Sequence, residues 1–180
     1  KLHLHIANAN QTFTDAEIAI FKNTAQQAET FVSSEFAQFD YEVDVIITTP
    51  SFMLPTIAED GIAGKTLHSR LIMISVDKSQ HGVSEDFIFE TICHEMSHSL
   101  RWEKLPEYAE TMFDGMILEG LAVALEEEAM IKLGRRNQQF FLREMQKTSQ
   151  AEIDKIIAAL QGNFEDKVYD YTKIFFTGDD

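Results

Sequence analysis

The sequence predicts an α+β fold, with a small mixed β-sheet packed on helices in one domain over residues 1–180. Three observations predict it. Short β-branched runs occupy the first half of the chain. Long stretches of helical periodicity, each opened by a capping residue, occupy most of the rest. The composition, 44% hydrophobic and 25% charged over 180 residues, suits one core of ordinary size.

The elements follow in order. Leu2-His3-Leu4-His5-Ile6 alternates with period two and reads as a strand, with His3 and His5 on a solvated face. Thr14 to Gln38 reads as a long helix. Thr14 is its N-cap and Glu17 completes a capping box, while Ile18, Phe21, Ala25, Ala28, Phe31, Val32 and Phe36 recur at helical spacing. Tyr41 to Thr49 is a strand ended by Pro50. Pro55 with Gly61 and Gly64 marks a loop. Lys65 to Val76 holds one or two strands, Arg70 to Val76 being the strongest, and His81-Gly82 is a turn.

Ser84 caps a helix from Glu85 to Trp102, with Glu85 and Asp86 in the first turn, where the helix dipole favours anions. Pro106 prevents its continuation. A second helix runs from Tyr108 or Asp114 to Leu133, with Gly134 at its C-cap, and a third from Gln138 to Leu160. Phe164 to Asp180 is aromatic and acidic, with no pattern that assigns it to an element.

The net charge is −15, from 15 basic and 30 acidic residues. Such a surface repels phosphate backbones and anionic lipid, so neither a nucleic acid nor a membrane is the expected partner. Cys93 is the only cysteine, which excludes an internal disulfide and suits a small core residue. No apolar run approaches the ~18 residues of a membrane span, and no signal peptide is visible. The expected compartment is the cytoplasm, for a chain that begins at Lys1 rather than Met.

His94-Glu95-Met96-Ser97-His98 reads H-E-x-x-H. Histidines four apart on a helix project from one face, so both imidazoles can bind one cation, and the glutamate beside the first can reach a water activated there. Phe87, Ile88, Phe89, Ile92, Cys93, Met96 and Leu100 surround the motif and mark a mostly buried helix. Two histidines and a carboxylate in such a helix are costly unless partnered, and one zinc ion would satisfy both rings.

A third ligand is Glu119, the only charge within Met116 to Leu125. A carboxylate so placed is rarely left unpaired. Gly120 beside it would permit close approach of two helices. His94, His98 and Glu119 then make a His₂Glu site with one position open for water. Glu126, Glu127 and Glu128 read as a solvated helix end. Asp114 and Glu110 are either acceptors for an imidazole N–H or caps. Arg101, Tyr169, Tyr171 and His81 are candidate donors to an oxyanion, with a helix-end salt bridge the favoured role for Arg101.

At these residues the chain resembles the gluzincin class of zinc metalloproteases. More narrowly, it is similar to a bacterial domain-of-unknown-function family of predicted zinc-dependent proteases. The matching runs are Ile92 to Arg101, Leu118 to Ala122, and the Gly61-Ile62-Ala63-Gly64-Lys65-Thr66 loop with its strand. The resemblance implies a zincin-like form of the predicted fold, with the H-E-x-x-H helix followed by a Glu-bearing helix. It implies one zinc ion on His94, His98 and Glu119, Glu95 as the catalytic carboxylate, and a peptide or protein substrate. It also implies a C-terminal segment with an aromatic Gly-Tyr motif, whereas this sequence ends at Phe175-Phe176-Thr177-Gly178-Asp179-Asp180.

Three alternatives stand beside this expectation. A non-catalytic metal-binding or interaction domain that keeps the zincin fold would have no need of Glu95, and structural zinc sites favour cysteines. A deformylase-type hydrolase needs an upstream cysteine ligand, and Cys93 directly precedes His94 instead. A helical interaction module with a chance motif would bind no metal.

Overall fold

The computed structural model describes residues 1–50, 61–105, 109–135, 148–171 and 173–177. The chain divides into two compact units, Lys1–Glu107 and Tyr108–Asp180.

Among its described residues the first unit holds a four-stranded sheet and three helices. Its strands are β1 (Leu2–Ile6), β2 (Val43–Thr48), β3 (Ile62–His68) and β4 (Leu71–Val76), and its helices are α1 (Asp15–Glu35), α2 (Lys78–His81) and α3 (Glu85–Trp102). The sheet order is β1-β2-β4-β3. β1, β2 and β4 run parallel, and β3 pairs antiparallel with β4 at an edge, so the sheet is mixed as expected. Two strands, not one, fill the segment ending at Val76. Gly64 lies inside β3 rather than in a loop, and the loop glycine is Gly61, with φ 66° at the strand's entry. Pro55 and Pro106 lie outside the described residues.

Alternation in β2 and β4 sends Val43, Val45, Ile47, Ile72, Ile74 and Val76 inward, all buried. α3 packs on β3 and β4, and α1 packs on α3 and β1. Phe21, Ala25, Ala28, Phe31 and Val32 from α1, with Ile88, Phe89, Ile92, Cys93 and Met96 from α3, fill the space between. The histidines of β1 pair with acids at the neighbouring strand β2, His3 with Glu42 at 3.1 Å and His5 with Asp44 at 2.6 Å.

The helix ends obey local chemistry. Thr14 and Glu17 form the expected capping box, and Ser84 Oγ accepts from the Phe87 N–H to open α3. Near the other end of α3, the buried Ser99 hydroxyl donates to the Ser69 carbonyl in the β3–β4 turn. Arg70, next in that turn, pairs with Glu103 and lies over the Tyr41 ring. These bonds fix the register of α3 against the sheet. His81-Gly82 closes the short α2 rather than forming a simple turn, and Gly82 takes φ 73°.

The second unit holds α4 (Met112–Lys132), α5 (Gln150–Leu160) and a C-terminal segment that returns to α4. The α4 N-cap is Thr111, with Asp114 completing the box, and Gly134 beyond the end takes φ 67°. The helix expected from Gln138 does not run unbroken to Leu160. Ser149 takes an extended conformation and caps a new helix, with Glu152 reaching back, while residues 138–147 lie outside the described set. The three consecutive glutamates are not uniformly solvated either. Glu127 is buried, and Glu128 is exposed and pairs with Lys132 at 3.1 Å. The backbone N–H groups of Met112 and Phe113 donate to the carbonyls of Asp166 and Phe164, which ties the C-terminal segment to the start of α4. No helix among the described residues is long and apolar enough to cross a membrane.

Candidate functional site

α3 carries His94, Glu95 and His98. Residues 91 and 95 are one turn apart on the side of α3 that meets β3, and 94 and 98 lie on the neighbouring side. The two imidazoles come together, with Nε2 of His94 and Nε2 of His98 3.3 Å apart. A tetrahedral zinc with Zn–N bonds of about 2.0–2.1 Å holds its nitrogens about 3.3–3.4 Å apart. The ring positions therefore fit one such ion.

An Arg101 guanidinium nitrogen lies 3.0 Å from Nδ1 of His98, and a guanidinium can only donate. Arg101 also bonds Ser97 Oγ at 2.5 Å. Both of these partners lie within α3.

Glu95 is 6% exposed. Its carboxylate Oε2 accepts from the Thr66 hydroxyl of β3 at 2.8 Å, and the same hydroxyl lies 2.9 Å from the Glu95 carbonyl. No spacing rule links residue 66 to residue 95. Only the packing of β3 across α3 reveals the pair.

Glu119 lies on α4 in the second unit, half-buried, and Tyr171 donates its phenol hydrogen to Glu119 Oε1. Tyr169 donates to the Thr111 carbonyl at 3.3 Å, and burial, with the charges of Asp114 and Glu119, raises its phenol above the usual range. A Cβ at Gly115 would stand 2.8 Å from Tyr169 Oη and 3.0 Å from Phe175 Cζ, so this glycine admits the C-terminal aromatics onto α4. A Cβ at Gly120 meets nothing within 4 Å among the described residues. Asp114 serves as a cap, held below the usual carboxylate range by its bonds from Thr111. Glu110 pairs with Lys167 at 3.4 Å. The side chain of His81 lies outside the described set.

No curated protein and no solved structure matches the chain. The model of one protein family, described as predicted Zn-dependent protease (DUF2268), matches residues 21–180, which include α3, α4 and all of the sheet except β1. With that match over most of its length, the chain belongs to this family of predicted zinc-dependent proteases.

Proposed function

We propose that this protein is a zinc-dependent peptidase with a zincin-like, gluzincin-type site in a single functional domain. His94, His98 and Glu119 hold one zinc ion, and Glu95 is the catalytic carboxylate. Support comes chiefly from the 3.3 Å separation of the two histidine Nε2 atoms, one helical turn apart, with Glu95 between them in sequence. The family description agrees with it.

Bound zinc would supply a Lewis acid that makes water more acidic and draws electron density from the scissile carbonyl. Glu95 takes the proton of the attacking water on a carboxylate oxygen and returns it to the leaving amine. Its burial shields that oxygen from bulk water and fixes its direction. The substrate is a peptide or protein segment. It lies extended along the edge strand β3, which adjoins α3 and has a free side among the described residues. The net charge of −15 opposes binding of nucleic acid or anionic membrane.

The test is Glu95→Gln, assayed for zinc content and for hydrolysis of a broad peptide library. Zinc should remain at one ion per chain, and hydrolysis should fall by ~10²–10⁴-fold. Full hydrolysis with zinc retained would remove Glu95 from the mechanism. A wild-type protein that takes up no zinc would overturn the assignment altogether.

A further inference from the structure

We propose that Gly64 and Thr66 of β3 form a cradle that fixes the Glu95 carboxylate, making both positioning residues for the peptidase reaction; their catalytic importance rests on that function. The two stand opposite Ile74 and Ile72 in the antiparallel ladder. Being two apart, they share one face of the strand, and that face meets α3.

Gly64 supplies room. Among the described glycines only Gly61, Gly82 and Gly134 have positive φ, so backbone conformation does not call for glycine at 64. A Cβ there would lie 2.5 Å from Glu95 Oε1, 2.7 Å from Glu95 Cγ and 2.8 Å from Thr91 Cγ2. Two of these three contacts are with the proposed catalytic side chain. The third has its own cause. The Thr91 hydroxyl bonds the Phe87 carbonyl at 2.7 Å, while the Thr91 methyl closes the cradle beside Gly64.

Thr66 supplies direction. Its hydroxyl has one hydrogen and meets both the Oε2 and the main-chain carbonyl of Glu95, at 2.8 and 2.9 Å. Contact with both ends of one residue restricts the three side-chain torsions of that glutamate. One carboxylate oxygen is engaged by Thr66 and the other lies against Gly64. Misplacement of a reacting group by about 1 Å can cost ~10²-fold in rate, so such a cradle matters to turnover more than to substrate affinity.

The test uses the full chain with two independent readouts. The first is kinetic: zinc-loaded Thr66→Val and Thr66→Ser are assayed with a quenched-fluorescent peptide that the wild type cleaves. Thr66→Val should lose ~10–100-fold in kcat, with KM and zinc stoichiometry unchanged, and Thr66→Ser should recover most of the loss. The second is the melting midpoint of the metal-free protein. Gly64→Ala should lower it by several degrees, and by clearly less in a Glu95→Ala background, where only the Thr91 methyl still crowds the new Cβ. Equal losses in both backgrounds would overturn the cradle, and an unchanged kcat in Thr66→Val would overturn its positioning role. If the wild type cleaves no peptide while the two melting losses differ, the cradle stands and the peptidase assignment falls.

Discussion

Arg101 should weaken zinc binding, and its removal should tighten it. The guanidinium stands 3.0 Å from Nδ1 of His98. A His98 that ligates zinc through Nε2 carries its proton on Nδ1, so Arg101 would then present a donor to a donor. A hydrogen bond to a charged group contributes about 1.5–3 kcal/mol, and the half-buried Arg101 is partly compensated by water, which brings the figure to about 1–2 kcal/mol. At 1.36 kcal/mol per decade, Arg101→Met should bind zinc about 5- to 30-fold more tightly. Lost repulsion between the guanidinium and the ion acts in the same direction. Competition against a chelating dye at fixed pH measures this. Arg101→Lys keeps the charge without the planar fork and should gain less. An affinity in Arg101→Met equal to or below that of the wild type would refute the tautomer argument.

Two further predictions concern the third ligand and acid stability. Glu119→Ala should lower zinc affinity by at least ~10²-fold while leaving the fold intact, as checked by the same titration and by circular dichroism; unchanged affinity would remove Glu119 from the ligand set. Glu17, Asp114 and Glu152 are each held below the usual carboxylate range, chiefly by capping bonds from Thr14, Thr111 and Ser149. Groups depressed in the folded state contribute stability above their ordinary values of 4.5 for Glu and 3.8 for Asp, and that contribution is lost as pH falls through the lower folded values. The melting midpoint should therefore fall as pH drops below about 4.5. Glu17→Gln, which can still close a capping box, should flatten part of that slope; a slope equal to wild type would deny Glu17 this role.

What was legible in the sequence was local. Thr14 with Glu17, and Ser84 before two acids, announce helix starts through bonds that close within one turn. His94, Glu95 and His98 were readable for the same reason, since one turn fixes their relation. The same signal stands at Ser149-Gln150-Ala151-Glu152, where helical periodicity on both sides masks the break. Thr111 gives a weaker signal, because its partner at the third position is Asp114 rather than Glu or Gln. β3 was hard to see because Ile62-Ala63-Gly64-Lys65-Thr66-Leu67-His68 has little apolar alternation and takes its form from pairing with β4. The bond from Thr66 to Glu95 spans 29 positions, and only tertiary packing creates it.

The edge position of β3 has another consequence. Among the described residues no strand pairs with its outer side, and such a backbone row does not distinguish a substrate from the same strand of another copy, so the edge proposed to receive an extended peptide is also a template for self-association. This strand carries two defences. Lys65 is exposed and places a charge on the edge, and the register shifts between Thr66 and His68, so that Leu67 bulges from the ladder and shortens the flat run open to pairing. The residues that make β3 a poor strand by composition are, in this sense, what keeps an open edge from becoming a seed for aggregation.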